Sequence, residues 1–148
     1  MSIKVLAIKI VREFELSRFL KFCLVGASGV LVNMFFFWVF YGKLRMFSLL
    51  SSFLAIQIAI LNNFLWNDKW TWREKREPGI KPFFKRLAKF ALASNFVSAS
   101  GNLLGVWIFL NLLEWHYLFS NFLAISLGVI LNFLINHYWT YLPNNKTN

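Results

Sequence analysis

The chain has 148 residues, of which 58% are hydrophobic, 20% aromatic and 15% charged, with a formal net charge of +10. A composition this apolar and this poor in charge excludes a soluble domain of ordinary surface chemistry. A lone cysteine, Cys23, excludes an intrachain disulfide, and the two histidines suggest no metal site.

In chain order, residues 1–17 read as an amphipathic cytoplasmic segment. Leu6, Ile10 and Phe14 share a helical spacing, with Lys9, Arg12 and Glu13 elsewhere on the wheel, which suits a short helix lying at a membrane surface. The charges interrupt the apolar stretch and no small-residue cleavage site follows, so the segment is not read as a cleavable signal peptide. Four stretches nearly free of charge come next, at 19–41, 47–66, 87–113 and 117–138. Each reaches the roughly 20 residues that a helix needs to cross a bilayer. Lys21 and Lys89 alone fall inside these windows, in first turns where a long side chain reaches the headgroups.

Orientation follows from the basic residues. Fourteen of the sixteen lie in the N-terminal segment, in the loop 67–86 with its edges, or in the polar tail 142–148, and only Lys43 and Arg45 lie on the other side. The rich side is cytoplasmic by the positive-inside bias, so both termini are inside. The net charge thus reflects topology and contact with anionic membrane lipids rather than binding to nucleic acid.

The chain also repeats itself. Asn63, Phe64, Leu65, Asn67, Trp70 and Thr71 recur 69 positions later as Asn132, Phe133, Leu134, Asn136, Trp139 and Thr140. Phe53-Leu54-Ala55-Ile56 returns as Phe122-Leu123-Ala124-Ile125, while Asn33 and Trp38 return as Asn102 and Trp107. Arg18, Lys21 and Phe22 return at offset 68 as Arg86, Lys89 and Phe90. The predicted fold is therefore all-α and integral to the membrane. Its membrane domain, 18–141, holds four transmembrane helices in two parallel two-helix repeats, 18–72 and 86–141. Two spans per repeat send both copies across in the same direction.

Polar residues inside the spans are the candidate functional groups. Ala55, Ala59, Asn63 and Asn67 recur every four residues, as do Ala124, Gly128, Asn132 and Asn136, and the first helices carry related stripes, Gly26, Gly29 and Asn33, then Ser94, Ser98, Asn102 and Gly105. Residues four apart share a helix face. Such a face serves close packing, with asparagines bonding across helices, or a polar track for a substrate headgroup. Trp70 and Trp139 close the second helices where an aromatic belt is expected. Arg18, Lys21, Arg86 and Lys89 stand at cytoplasmic helix starts, where the positive end of the helix dipole adds to their attraction for an anion. Taken singly, they also serve topology and lipid anchoring.

The Asn-Phe-x-x-Asn-x-x-Trp-Thr-aromatic ending of the second span, with Arg18-Phe-x-Lys21-Phe-x-x-Val25-Gly26, resembles the GtrA-like family over residues 18–141. The resemblance implies a small inner-membrane protein of cell-surface polysaccharide synthesis that moves polyprenyl-phosphate-linked sugars across the cytoplasmic membrane, alongside a glycosyltransferase. The family places Lys or Arg just after the second asparagine, where this chain has Asp68 and His137, and Lys69 follows one step later. If that basic residue holds the substrate phosphate, Lys69 takes its place in the first half.

Absences weigh as well. No Asp or Glu falls inside the four windows, which speaks against a small multidrug-type proton antiporter, whose exchange needs an intramembrane carboxylate. No nucleophile, paired carboxylate or cofactor motif suggests an enzyme. The rival to transport is a membrane anchor or assembly partner for a glycosyltransferase. Four helices make a thin wall around a polyprenyl headgroup, so a homo-oligomer, most simply a dimer, is expected. Reporter fusions at Asn148 and within 75–80 should be active only with a cytoplasmic reporter. Periplasmic activity from 75–80 would overturn the orientation.

Overall fold

A computed structural model of the chain describes residues 16–98, 108 and 117–141, the side chains of 117–122 excepted. Among these residues every regular element is helical and no strand occurs. Helix α1 spans Leu16–Phe37 and widens into a π-helical stretch, Trp38–Lys43. Helix α2 spans Ser48–Trp66 and likewise ends in a π-helical stretch, Asn67–Thr71. A 3₁₀ turn at Arg73–Lys75 precedes α3, Ile80–Phe96, and α4 runs Tyr117–Ile135 before its own π-helical end, Asn136–Thr140.

Among the described residues three helices are long and apolar enough to cross a membrane: Leu16–Lys43, Ser48–Thr71 and Leu123–Thr140, of 28, 24 and 18 residues. At about 1.5 Å per residue, the first two exceed the roughly 30 Å hydrocarbon core. The expected span 87–113 begins within α3. Its continuation, apart from position 108, lies outside the described residues, as do residues 1–15, Asn102, the turn 114–116 and the tail 142–148.

Helix reaches further into the basic segment than hydropathy suggests. α2 continues to Thr71 and α3 starts at Ile80, so the stretch 67–86 is mostly helical. Pro78 and Gly79 account for the break between them. Gly79 adopts φ 110°, a conformation natural to glycine, and its carbonyl accepts the Phe83 N–H at 3.2 Å to begin α3. Pro82 falls in the first turn, where its missing N–H leaves no helical bond unmade. One further expectation is corrected. Asp68 lies within the helical span Ser48–Thr71 and is buried, so a carboxylate does sit inside a span. The apolar window stops at Trp66, but packing rather than hydropathy sets where the helix ends.

The chain divides after Arg73 into two compact units. In the first, α1 buries Arg18, Phe22, Val25 and Gly29. α2 answers with Ser51, Ala55 and Ala59, and the stripe continues four residues at a time through half-buried Asn63 to Asn67 and Thr71. The small side chains let the helices approach closely. A Cβ placed on Gly29 would run into the Asn63 amide, and one residue earlier on each helix Asn62 Nδ2 donates to Ser28 Oγ at 3.1 Å. Close approach plus a hydrogen bond across the pair is how helices associate where lipid offers no hydrophobic drive. The outward surface is apolar: Leu24, Leu31, Met34, Leu49 and Phe53 are all exposed. In the second unit α3 buries Phe90, Ala93 and Ser94, with Val97 buried just beyond it, and α4 and its π-helical end bury Ala124, Phe133 and Asn136; a Cβ placed on Gly128 would meet Val97 Cγ1 at 3.8 Å.

The Gly29–Asn63 contact predicts a coupled pair of substitutions. Gly29→Ala should destabilise the protein by about 1–3 kcal/mol, because the added methyl displaces a short, confined amide. In an Asn63→Ala background the same change should cost at least about 0.5 kcal/mol less. Thermal unfolding of the four proteins in one detergent checks this, and strict additivity would remove the contact from the account.

Candidate functional site

In the first unit the motif that opens α1 grips the motif that closes α2, residue by residue. Arg18 Nε donates to the Thr71 carbonyl at 3.1 Å. Lys21 Nζ lies 5.8 Å from the centre of the Trp70 ring. Phe22 meets Trp72 edge to face, centroids 5.8 Å apart at 70°. The chemistry suits each place. The last carbonyls of a helix lack intrahelical donors, and a cation there also answers the negative end of the dipole. An ammonium over an indole gains from the ring quadrupole while its stem lies along apolar surface. Trp72 is fully buried beneath Phe22.

The second unit holds the corresponding residues in a related arrangement. Lys89 Nζ lies 5.5 Å from the Trp139 ring centre and donates to the Trp139 carbonyl at 2.9 Å. Phe90 and Tyr141 are buried. Arg86 differs from Arg18: its Nη1 donates to the Glu77 carbonyl at 2.9 Å. Both arginines are buried, at 8% exposure, which is rare for the residue type and marks them as structural anchors as well as charges.

The asparagines part company between the units. Asn136 Nδ2 donates to the Asn132 carbonyl at 2.8 Å and to Asn132 Oδ1 at 2.9 Å, and Thr140 Oγ1 donates to Asn136 Oδ1 at 2.9 Å. This is a closed ladder along one face of α4. In the first unit Asn63 instead fits against Gly29 and accepts a long 3.4 Å bond from Asn62 Nδ2. Asn67 is 1% exposed, and neither its amide nitrogen nor its amide oxygen has a hydrogen-bond partner; the same holds for Thr71 Oγ1. A buried amide left unmade costs about 1–3 kcal/mol, so these groups are prepared for a polar partner.

Of the residues expected at the site, Arg18, Lys21, Trp70, Asn63 and Asn67 gather at the α1–α2 pair, and Arg86, Lys89, Trp139, Asn132 and Asn136 at the α3–α4 pair. Asn33 is half-buried on α1, Lys69 is exposed at the end of α2, and Asn102 lies outside the described residues. The sequence reading left Thr71, Thr140 and Lys75 out of the site and noted Asp68 only as a departure from the family pattern. The four-residue stripe, continued one step, reaches both threonines. Lys75 had no such signal. Its Nζ stands 3.1 Å from His137 Nε2, joining the 3₁₀ turn to the buried end of α4. Among the described residues no three His, Cys, Asp or Glu side chains stand together as metal ligands.

Residues 21–144 match the family model described as GtrA/DPMS, transmembrane domain. The chain is also 39% identical over 129 residues to a dolichol-phosphate mannosyltransferase of Pyrococcus furiosus, a match covering 87% of this chain and 35% of that protein. The chain thus spans about a third of the length of that relative. With three helices able to cross a bilayer and a family match over most of its length, this multi-pass membrane protein belongs to the GtrA/DPMS transmembrane-domain family.

Proposed function

We propose that the protein moves a polyprenyl-phosphate-linked sugar across the cytoplasmic membrane for cell-surface polysaccharide glycosylation, without catalysing a reaction on it. The observation that carries this reading is Asn67: a fully buried amide with no protein partner, one helical turn from Thr71, whose carbonyl accepts from Arg18. Such a cluster, bordered by exposed apolar helix surface, offers hydrogen bonds to a sugar-phosphate headgroup and hydrocarbon contact to its tail. The relative named for dolichol phosphate and mannose supports a substrate of this class. The matching pairs Lys21–Trp70 and Lys89–Trp139 support two parallel two-helix repeats, hence four spans with both termini inside. A homodimer would complete the wall around the headgroup.

A second reading has one observation in its favour. The matched region is about a third of a protein named a mannosyltransferase, so membrane domains of this kind occur joined to larger chains. On that reading the protein anchors or assembles a glycosyltransferase and moves nothing.

Asn67 separates the two. Asn67→Ala removes no protein hydrogen bond, so the variant should insert and melt within about 1 kcal/mol of wild type, since losing an unsatisfied buried amide is close to neutral. Transport predicts that surface glycosylation is nonetheless lost, and anchoring predicts that it persists. Asp68, although buried, lies at the end of its span rather than mid-membrane, so the driving force is assigned to the carrier's own gradient. In proteoliposomes, translocation should proceed without ATP and be indifferent to an imposed pH gradient, in wild type and in Asp68→Asn alike. A gradient response present in wild type and absent in Asp68→Asn would establish proton coupling instead.

A further inference from the structure

The second unit also contains a cleft, formed in part by Arg86 and Lys89 of the candidate site. Its rim carries Lys75, Lys85, Arg86 and Lys89, with Glu77 as the lone carboxylate, and Thr140 and Tyr141 border it from the end of α4. Four cations against one anion make this a positive concavity, and low-dielectric walls concentrate such a field. Two of the cations are held in place. Arg86 bonds the Glu77 carbonyl, and Lys89 bonds the Trp139 carbonyl while lying over its ring. Lys75 is held near His137, whose Nε2 stands 3.1 Å from the ammonium.

The surroundings indicate what kind of anion fits. Trp139, over whose ring the rim residue Lys89 lies, is half-exposed, as side chains at the headgroup level of a bilayer are. Along α3, Leu92 and Phe96 follow Lys89 at helical spacing and are largely exposed, at 64% and 68%. An anion in the cleft therefore has an apolar rail leading from it toward the membrane interior. That suits a phosphate carried on a hydrocarbon tail better than a free anion.

The two halves of the chain also differ here in sign. At the offsets of the repeat, Ser17 stands where Lys85 does, and the buried Asp68 where His137 does. A carboxylate at that place repels a phosphate, whereas the second half adds a lysine to the same position through His137. We infer that the cleft of the second unit is the docking site for the phosphate of the polyprenyl-phosphate carrier, with Lys75 and Lys85 as its specific cations. This rests on the transport reading, and it assigns the capture step to one half of the chain.

The test uses the full-length protein in phosphatidylcholine nanodiscs at physiological ionic strength, where exposed charges beyond about 8 Å are screened. Binding of a short-chain polyprenyl phosphate is measured, with phosphatidylglycerol as the competing anionic lipid. Lys75→Gln with Lys85→Gln should weaken binding about ten- to a hundredfold, from the loss of two charge-assisted contacts. Lys43→Gln with Arg45→Gln, which removes the same charge elsewhere, should change it less than about twofold, as for surface charges distant from a bound ion. Glu77→Gln should tighten binding severalfold, a gain that a misfolded protein cannot mimic, and Lys75→Arg with Lys85→Arg should restore affinity. Carrier binding that is unchanged in both the lysine and the glutamate variants overturns the inference while leaving the transport reading standing. Displacement of the carrier by an equal amount of phosphatidylglycerol overturns it too, making the cleft a general lipid contact. Loss of transport in Asn67→Ala then still decides the transport reading on its own.

Discussion

Everything described in the first unit depends on one grip, in which the residues that start α1 hold the residues that end α2. Arg18, Lys21 and Phe22 take Thr71, Trp70 and Trp72 in turn. A pair of antiparallel helices in lipid gains little from burying apolar surface, because hydrocarbon surrounds both. Their register must come from short-range packing and from polar contacts at the ends. The Gly29–Asn63 fit sets the distance between the helices, and the grip sets how far one slides along the other. Without the grip the buried amide of Asn67 would have no fixed place, and neither would Arg18 and Lys21.

This grip explains why two separate sequence motifs travel together. The Arg-x-x-Lys-Phe opening and the Trp-Thr-aromatic ending are about 50 residues apart in each half, and each supplies the other's partners. The all-helical character, the apolar spans and the small-residue stripe were legible in the sequence because hydropathy and a four-residue spacing report them directly. Asn63 and Asn132 were legible as polar positions, but their partners were not, since Asn63 turns to a glycine on another helix and Asn132 to its own neighbour Asn136. The burial of Asp68 was hidden for a different reason. A charged residue just past an apolar window reads as loop, and only the continuation of α2 to Thr71 brings it inside. Lys75 was invisible altogether, because its partner His137 is 62 positions away and neither belongs to a periodic pattern.

The two halves illustrate how one motif is put to unlike uses. In α4 the ladder Asn132–Asn136–Thr140 closes on itself, so its polar groups stabilise the helix end and ask for nothing further. In α2 the same residue types are left open, because Asn63 is drawn to Gly29. Charge divides them similarly, Asp68 in one and His137 in the other. Matching motifs thereby border open polar groups in one unit and a cleft rimmed by cations in the other.

The π-helical ends of α2 and α4 carry a further consequence. In both, the closing N–H reaches back five residues, from Trp72 to the Asn67 carbonyl at 2.9 Å and from Tyr141 to the Asn136 carbonyl at 3.0 Å. Such turns hold one residue more than an α turn and are rare, since their geometry is poorer. The extra residue rotates everything beyond it by about 100°, one helical position in 3.6. Deleting any single residue between Asn67 and Thr71 would restore an ordinary helix and swing the terminal aromatic from the interior to the lipid. Helix ends at a membrane surface usually tolerate changes of length. In this chain one residue more or fewer would re-aim the closing aromatic.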